Sequence, residues 1–286
     1  MDLSRDGPFV REMAFCRGVA AKWREKLTVL RIPGRLQRFV RPMVQAGEVL
    51  DRLQNLPLTD CPTLLRQLPV LVLAPHPDDE SLGCGGLFAA CHEHGLPAYA
   101  AFLTDGAASH PHSREFPRER LASLREAEAR SALASLGVED DRIEFLGCRD
   151  GEAPTRGQSF DSVAERLAGL ARSRGIRTIC TTWQHDPHPD HRAAWRVGRQ
   201  VARTIEARLL CYPIWGWTIP PQTWLPATRI AGARLDITRY LAAKQRAVAC
   251  HRSQQSDLIS DDPTGFRLSD AMLALFERPF EVFCEG

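Results

Sequence analysis

The chain has 286 residues, with 37 Lys or Arg and 35 Asp or Glu, so its formal net charge is only +2 at pH 7. This length can bury a large core, and the balanced charge gives no general case for nucleic-acid binding. No apolar run approaches the ~20 residues that a membrane-spanning helix needs, and the nine scattered cysteines are typical of free thiols in a reducing compartment, so we expect a cytoplasmic protein.

Residues 1–66 differ in character from the rest, because Arg and Lys recur there among apolar residues. This pattern predicts a basic helical extension on a main domain that spans residues 67–286. The alternative is a patch for an anionic membrane, which would give peripheral membrane contact. Pro57, Pro62 and Pro69 indicate a linker between the two parts.

From Val70 onward, strand and helix patterns alternate. Residues 70–74 are uniformly apolar, which is typical of a strand that is buried on both faces. The predicted elements that follow are a helix at 85–94, a strand at 98–103, a helix at 117–136, a strand at 143–146, a helix at 160–174, a strand at 178–182, a helix at 193–208 and a strand at 209–212.

The remaining quarter of the chain is less regular. Residues 213–228 hold three tryptophans and four prolines and predict a long ordered loop. A strand at 231–237, a helix at 238–253, a short helix from residue 270 and a strand at 280–284 complete the chain. This alternation predicts a Rossmann-like α/β fold with a mostly parallel sheet and helices on both faces, plus the N-terminal helical extension.

Histidines and carboxylates follow two of the predicted strands at the point where each strand ends. The strand at 70–74 runs into Pro75-His76-Pro77-Asp78-Asp79-Glu80, and the strand at 178–182 leads to His185-Asp186-Pro187-His188-Pro189-Asp190-His191. Parallel sheets place their ligands at the carboxyl ends of the strands. We therefore expect both clusters to open on one rim, together with the Thr104-Asp105-Gly106 turn.

Two histidines, one carboxylate and an open water position are a common catalytic zinc arrangement. In the first cluster, one aspartate can face the metal while its neighbour faces the bound water, although spacing alone does not say which does which. The second cluster offers one histidine for the metal and another for an oxyanion or a leaving amine. An aspartate between them can orient that histidine. Zinc lowers the pKa of its water to roughly 7, so a carboxylate can take the proton at neutral pH.

Each cluster also has a purely structural explanation. A histidine after a strand is usually a capping or core residue, and acidic residues before a helix often only complement its N-terminus. The occurrence of two such clusters at equivalent strand ends favours a functional site.

These motifs also carry a family resemblance. The first cluster together with His188-Pro189-Asp190-His191 resembles the PIG-L/LmbE family of zinc-dependent de-N-acetylases, which includes enzymes for N-acetylglucosaminyl-phosphatidylinositol and for mycothiol and bacillithiol precursors. The resemblance runs from about Val70 to at least Tyr212 and includes the helix pattern Arg125, Glu128, Ala132 and Leu136-Gly137. Residues 244–254 resemble the family's C-terminal region more weakly, and residues 1–66 are not covered.

The resemblance implies that His76, Asp79 and His191 are the zinc ligands. It also implies that Asp78 is the general base. Zinc is therefore the expected cofactor, although another divalent ion could replace it.

The resemblance further implies that His188 stabilises the tetrahedral oxyanion and could protonate the amine, with Asp190 holding it as a third catalytic residue. Glu80 would be a supporting residue. Many relatives carry an acidic residue just after the Thr-x-Gly turn, whereas this chain has Ala107-Ala108. This departure leaves the substrate contacts of that loop open.

Other side chains are weaker candidates. His185, like Glu80, could support the metal ligands. Glu128 lies on the apolar face of the helix predicted at 117–136, and Arg125 is its expected partner. The substrate-binding candidates are Thr104, Asp105, His110, Arg114, Trp215 and Trp217.

The sequence thus predicts a zinc-dependent N-deacetylase, a hydrolase acting on non-peptide C–N bonds. It would use zinc-bound water to remove an acetyl or similar acyl group from an N-acetylglucosamine-type amino sugar in a small-molecule or lipid-linked glycoconjugate. One alternative is another metal hydrolase, such as a phosphoesterase, although its usual richer carboxylate or two-metal ligand set is missing. A second alternative is a non-catalytic carbohydrate-binding protein with a structural metal, but such a site needs no base at Asp78.

Overall fold

The computed structural model describes residues 42–286. Residues 1–41, which carry most of the predicted basic extension, lie outside the described residues. The strands are β1 (Met43–Gln45), β2 (Leu58–Thr59), β3 (Val70–Ala74), β4 (Ala98–Thr104), β5 (Ile143–Cys148), β6 (Thr178–Thr182), β7 (Arg208–Tyr212), β8 (Trp224–Pro226), β9 (Gly232–Asp236) and β10 (Phe280–Glu285). The α-helices are α1 (Ala46–Gln54), α2 (Cys61–Leu65), α3 (Asp79–Glu93), α4 (Arg118–Ser135), α5 (Gly157–Ser173), α6 (Pro189–Thr204), α7 (Leu241–Ala249), α8 (Arg252–Gln255) and α9 (Asp270–Leu273).

Eight strands form one sheet in the order β2-β9-β10-β7-β6-β3-β4-β5. The five strands from β7 to β5 are mutually parallel, whereas β10 runs antiparallel to β7 and β9. The chain builds outward from β3 through β4 and β5, and then returns to the other side of β3 with β6 and β7. This reversal makes the carboxyl ends of β3 and β6 a topological switch point, where open α/β sheets bind their ligands.

Both faces of the sheet are covered by apolar layers. In β3, Val70 and Val72 belong to one hydrophobic cluster while Leu71 and Leu73 belong to the other, because successive side chains in a strand point to opposite faces. All four side chains are fully buried. The predicted α/β fold with a mostly parallel sheet and helices on both faces is therefore confirmed.

The two helices that follow the clusters begin earlier than predicted. α3 begins at Asp79 rather than at residue 85, and α6 begins at Pro189 rather than at residue 193. Proline suits the first position of a helix, and acidic residues in the first turn complement the helix dipole. The glycines in α3 concealed its length, because glycine disfavours helix; yet Gly86 is needed there, since a Cβ would lie 2.4 Å from Ile237.

Two other predictions are wrong. The segment around Pro57, Pro62 and Pro69 is not a linker, because β2 pairs with β9 in the main sheet and α2 packs into the core through Cys61, Leu64 and Leu65. The helix predicted at 238–253 is interrupted: α7 ends at Ala249 and α8 begins at Arg252. The break places His251 between two helices rather than on a helix face.

Within residues 42–286, none of the helices is long and apolar enough to cross a membrane. The eight cysteines of this region are free thiols, as the sequence predicted, and six of them are buried.

Gly137 ends the helix α4 in the predicted C′ position, with φ at +82° and its N–H donating to the Ala134 carbonyl oxygen. We expect Gly137→Ala to destabilise the protein more than Gly147→Ala, which serves as the matched control. Both alanines would enter the left-handed region, at a cost of ~1–2 kcal/mol. Only the Cβ at Gly137 would meet another side chain, 2.3 Å from the ring of His92, and overpacking adds ~1–3 kcal/mol. Urea unfolding of both variants measures this difference, and equal losses would contradict it.

Candidate active site

The two clusters meet at the switch point, because β3 and β6 are neighbours in the sheet. The ring centroid of His76 lies 4.9 Å from that of His188 and 5.3 Å from that of His191. One nitrogen from each of these three histidines lies within 4.8 Å of the other two. The prediction that both clusters open on one rim is therefore confirmed.

One carboxylate oxygen of Asp79 lies between two imidazoles. Its Oδ2 is 3.2 Å from His76 Nδ1 and 3.3 Å from His191 Nε2. Ligands of a tetrahedral zinc ion, bound at ~2.0–2.1 Å, are separated by about the same distance. Two nitrogens and one oxygen are also a donor set that catalytic zinc uses. The residues present therefore fit a divalent metal ion.

The electrostatics of these groups lead to the same conclusion. Burial raises the pKa of Asp79, but the imidazoles of His191 and His76 have the larger opposite effect and bring this pKa well below its usual range. Burial lowers the pKa of His191, but Asp79 and Asp186 outweigh it and raise this pKa to about 9. Without another cation, the carboxylates hold protons on the imidazoles. A divalent ion would replace that positive charge.

Asp186 supports His191 from behind. It is fully buried, and its Oδ1 lies 3.2 Å from His191 Nδ1. Its Oδ2 accepts the backbone N–H groups of Ile214 and Gly216 at 3.2 and 3.1 Å, which fixes the carboxylate. A carboxylate behind a ligating histidine sets the tautomer and orientation of the ring.

His76 is supported in the same way by two carboxylates. Its Nε2 lies 3.2 Å from Asp150 Oδ1 and 3.2 Å from Asp190 Oδ2. Burial lowers the pKa of His76, but hydrogen bonds to Asp150, Asp190 and Asp79 raise it well above its ordinary value. The sequence analysis missed Asp150, although it follows β5 and the strand-end rule applies to it.

The expectation that Asp190 holds His188 is met only through the backbone, and not through the Asp190 carboxylate. The carboxylate accepts the Gly151 N–H at 2.7 Å and contacts His76 instead. The link to His188 is the backbone: the Asp190 N–H donates to His188 Nδ1 at 3.2 Å. The reason is that Asp190 lies in the first turn of α6 and His188 is the N-cap of that helix.

This backbone bond decides what His188 can do. Its Nδ1 is an acceptor, so a neutral ring carries its proton on Nε2. Burial, together with the charges of His76 and His191, lowers the pKa of His188 to about 3, so the ring is neutral at neutral pH. His188 Nε2 is therefore a hydrogen-bond donor rather than a lone pair for a metal.

Asp78 has an unusual backbone and a well-defined partner. Its φ is +136°, and its Oδ2 lies 3.1 Å from Arg125 Nη2. Arg125 also donates to the carbonyl oxygens of Pro77 and Gly106. Burial raises the pKa of Asp78 to about 6, with Arg125 acting against it and Asp79 adding to it. A buried carboxylate with such a pKa is suited to general base catalysis near neutral pH.

The predicted Arg125–Glu128 pair is wrong. Arg125 binds the turn at Asp78, while Glu128 accepts the N–H and the hydroxyl of Ser253 at 2.8 and 2.6 Å. Both partners come from elsewhere in the chain, so spacing along the helix could not identify them.

The substrate-binding candidates on the first loop make contacts within the protein. Thr104 Oγ donates to the Pro75 carbonyl oxygen at 2.9 Å, and Asp105 pairs with Arg118 at 2.6 Å. His110 is buried, with its Nδ1 3.1 Å from Ser109 Oγ. The exposed Arg114 donates its backbone N–H to Asp261. Their role in substrate binding stays a prediction.

The aromatic candidates pack in a similar way. The Trp215 ring meets Phe266 edge-on at 5.7 Å, and Arg278 lies over the Trp217 ring at 4.7 Å. His185 packs edge-on against Trp183 at 4.9 Å. These positions do not test whether the two tryptophans contact a sugar ring, or whether His185 supports the ligands.

We expect Asp186→Asn to weaken metal binding by roughly 10–100-fold, the usual cost of losing a carboxylate behind a ligating histidine. The amide keeps the size of Asp186 but removes the charge that faces His191 Nδ1. Competition with a chromophoric chelator measures the affinity. Asp161→Asn, which changes an exposed residue on α5, is the matched control and should bind metal like the wild type. Equal affinities in both variants would rule out this role for Asp186.

Comparison with known proteins places this site in a family. The PIG-L family profile, described as GlcNAc-PI de-N-acetylase, matches residues 71–202. A probable N-acetyl-alpha-D-glucosaminyl L-malate deacetylase 2 of Bacillus cereus is 27% identical over 210 residues, which cover 71% of this chain and 90% of the relative. The diacetylchitobiose deacetylase of Thermococcus kodakarensis is 32% identical over 133 residues, which cover 45% of this chain and 47% of the relative.

Among solved structures, the N,N'-diacetylchitobiose deacetylase of Pyrococcus horikoshii superposes with a TM-score of 0.58 at 21% identity, over 84% of this chain and 92% of that chain. It therefore shares the fold. The region that the family profile matches contains β6, all of β3 except Val70, and both clusters, as the resemblance of the motifs implied. Residues 71–202 of this chain belong to the PIG-L family.

Proposed function

We propose that this protein is a metal-dependent hydrolase that removes the N-acetyl group from an N-acetylglucosamine-type amino sugar. One observation carries the proposal: a buried carboxylate, Asp78, stands next to Asp79, whose Oδ2 lies 3.2 and 3.3 Å from nitrogens of His76 and His191, the separation of neighbouring zinc ligands. A structural metal site needs no such base. The similar proteins of Bacillus cereus and Thermococcus kodakarensis are named as deacetylases of acetamido sugars, which supports the same reaction.

His76, Asp79 and His191 would hold the metal. A bound divalent ion supplies Lewis acidity, which polarises the amide carbonyl and acidifies a water molecule. Two imidazoles and one carboxylate favour zinc as this ion. Asp78 accepts the proton of the attacking water, while Arg125 orients its carboxylate through the 3.1 Å contact with Oδ2.

His188 donates a hydrogen bond from Nε2 to the oxygen of the scissile amide as that oxygen gains negative charge. Because the neutral ring has no proton to spare, the leaving nitrogen takes its proton from Asp78, which received one from water. This assignment differs from the expectation that His188 could protonate the amine. The C–N bond then breaks, and the products are acetate and the free amine.

The relatives' names differ in what is joined to the acetylated sugar: malate in one and a second acetylated sugar in the other. The shared part, an acetamido sugar of small size, is the substrate class that we propose here. Contact with a membrane through residues 1–66 and a cytoplasmic location remain predictions.

The test uses full-length protein that has been stripped with a chelator and then loaded with Zn²⁺ or another divalent ion. N-acetylglucosamine, its malate glycoside and diacetylchitobiose are offered in turn, and free amine and acetate are measured. We expect equal amounts of both products with the metal and neither without it. Phosphate release from a phosphomonoester instead would favour the phosphoesterase alternative. Sugar binding without any amine would favour the non-catalytic one.

A further inference from the structure

The backbone of Asp78 adopts a conformation that residues other than glycine rarely adopt, with φ at +136° and ψ at −31°. Such a conformation costs about 1–3 kcal/mol and persists only where the surroundings fix it. One fixing contact is a hydrogen bond from the Asp78 N–H to Glu80 Oε2, at 2.8 Å. The position of the base therefore depends on the carboxylate of Glu80.

That carboxylate is held in turn by a residue from the far end of the chain. Glu80 is fully buried, and its Oε1 lies 2.9 Å from His251 Nε2 and 2.7 Å from the hydroxyl of Ser81. His251 is also fully buried, and it follows Glu80 by 171 positions. A buried carboxylate needs such a donor, so His251 determines how Glu80 is oriented.

The segment that carries His251 is itself anchored beside the site. The Glu128 carboxylate of α4 accepts both the N–H and the hydroxyl of Ser253, and the backbone carbonyl oxygen of Gln254 accepts the Leu268 N–H at 2.8 Å. α4 also carries Arg125, which contacts the Asp78 carboxylate. The same helix therefore fixes the side chain of Asp78 directly and its backbone indirectly, through the segment at 251–254.

We propose that His251 is a positioning residue for the deacetylation, which orients the general base Asp78 by holding Glu80. This inference rests on the proposed function. It makes the segment at 251–254, which lies outside the region matched by the family profile, a working part of the active site. His251 Nε2 lies 2.9 Å from Glu80 and 3.3 Å from the Ser81 hydroxyl, so its geometric link to the Asp78 backbone runs through Glu80.

Three full-length, zinc-loaded variants test the proposal. We expect His251→Leu to lower kcat about 10–100-fold, since misplacing a reacting group by about 1 Å can cost 10²-fold. KM and the metal affinity should stay within about twofold, because the ligands are unchanged. His251→Gln should recover most of kcat, since its amide N–H can donate to Glu80. His94→Leu, at an exposed helix end, controls for the loss of a histidine and should match the wild type.

A double variant separates positioning from a merely structural role. In an Asp78→Asn background the base is absent, so adding His251→Leu should cost no further activity. An additive loss in the double variant would overturn the proposal. So would a wild-type kcat for His251→Leu, measured per folded, metal-loaded molecule.

Glu80→Gln tests the same link without removing His251, and it carries the test if His251→Leu does not fold. Its one amide oxygen cannot accept from both Asp78 and His251, so kcat should fall by a similar factor. A wild-type kcat for Glu80→Gln overturns the proposal. Failure of the proposed function can be distinguished from failure of this inference. No amine from the wild type contradicts the proposed function, whereas an active wild type with equally active His251→Leu contradicts only the role of His251.

Discussion

Asp78→Asn is expected to lower kcat by about 10²–10⁴-fold, the usual contribution of a general base. The amide has the same size and can still accept from Arg125, which lies 3.1 Å from the carboxylate. It cannot take a proton from water. The metal affinity should remain that of the wild type, because Asp78 is not part of the donor set. Steady-state kinetics and chelator competition on the same preparation measure the two quantities.

The neighbouring residue provides a matched control. Asp79→Asn makes the same chemical change one position along the chain, but it alters the oxygen that lies between His76 and His191. It should lose metal affinity as well as activity. Equal amine release from the wild type and Asp78→Asn would refute Asp78 as the base. Loss of metal from Asp78→Asn but not from Asp79→Asn would exchange the two roles.

The different roles of these adjacent residues follow from local geometry. Asp79 is the first residue of α3, and its carboxylate also accepts the backbone N–H of His76 at 3.1 Å, which turns it toward the histidines. Asp78 precedes the helix with a positive φ, so its side chain leaves the backbone in another direction, toward Arg125. The sequence indicated one ligand and one base at this pair, but only the backbone conformation separates them.

The sequence predicted the parts of the fold that depend on local pattern. The uniformly apolar strands can be recognised from their residues alone. That the polar clusters at their ends meet follows from the topology of a parallel sheet. The predicted start of α3 was less accurate, because its glycines are required by packing against other elements although glycine has a low helix propensity. Gly86, for example, is required by the nearby side chain of Ile237, which lies far from it in the sequence.

The contacts that the sequence could not predict join distant positions. Glu80 and His251 are 171 residues apart, and Glu128 and Ser253 are 125 residues apart. Neither partner of such a pair carries a local signal. Arg125 and Glu128 stand three residues apart on one helix and suggested a pair, but the backbone turn at Asp78 and the segment at 251–254 offer better partners.

The assignment of Asp190 shows the same limit at short range. A His-x-Asp spacing suggested that the aspartate orients His188 by its carboxylate, whereas the first turn of α6 brings the Asp190 backbone N–H to that ring instead. The Asp190 carboxylate instead contacts His76, which follows the neighbouring strand β3. Spacing found the right residues, but the helix boundary decided which atoms they use.

His191→Ala is expected to reduce metal affinity by about 10²–10³-fold, since four ligands of a zinc site share roughly 10–16 kcal/mol of binding free energy. The variant loses one donor and leaves Asp79 without one of its two imidazole neighbours. Amine release should fall with metal occupancy. Equilibrium competition with a chelator measures the affinity independently of activity.

His188→Ala is the matched control, because His188 is the third histidine of the same cluster, with its ring centroid 5.0 Å from that of His191. Its Nδ1 accepts the Asp190 N–H, so a neutral ring presents a donor rather than a lone pair to the site. Losing it should lower kcat about 10²–10³-fold, as removal of an oxyanion donor does, and leave metal affinity unchanged. Metal loss in His188→Ala with retention in His191→Ala would mean that His188 is the ligand. That result would require the ring to give up its hydrogen bond with the helix N-terminus.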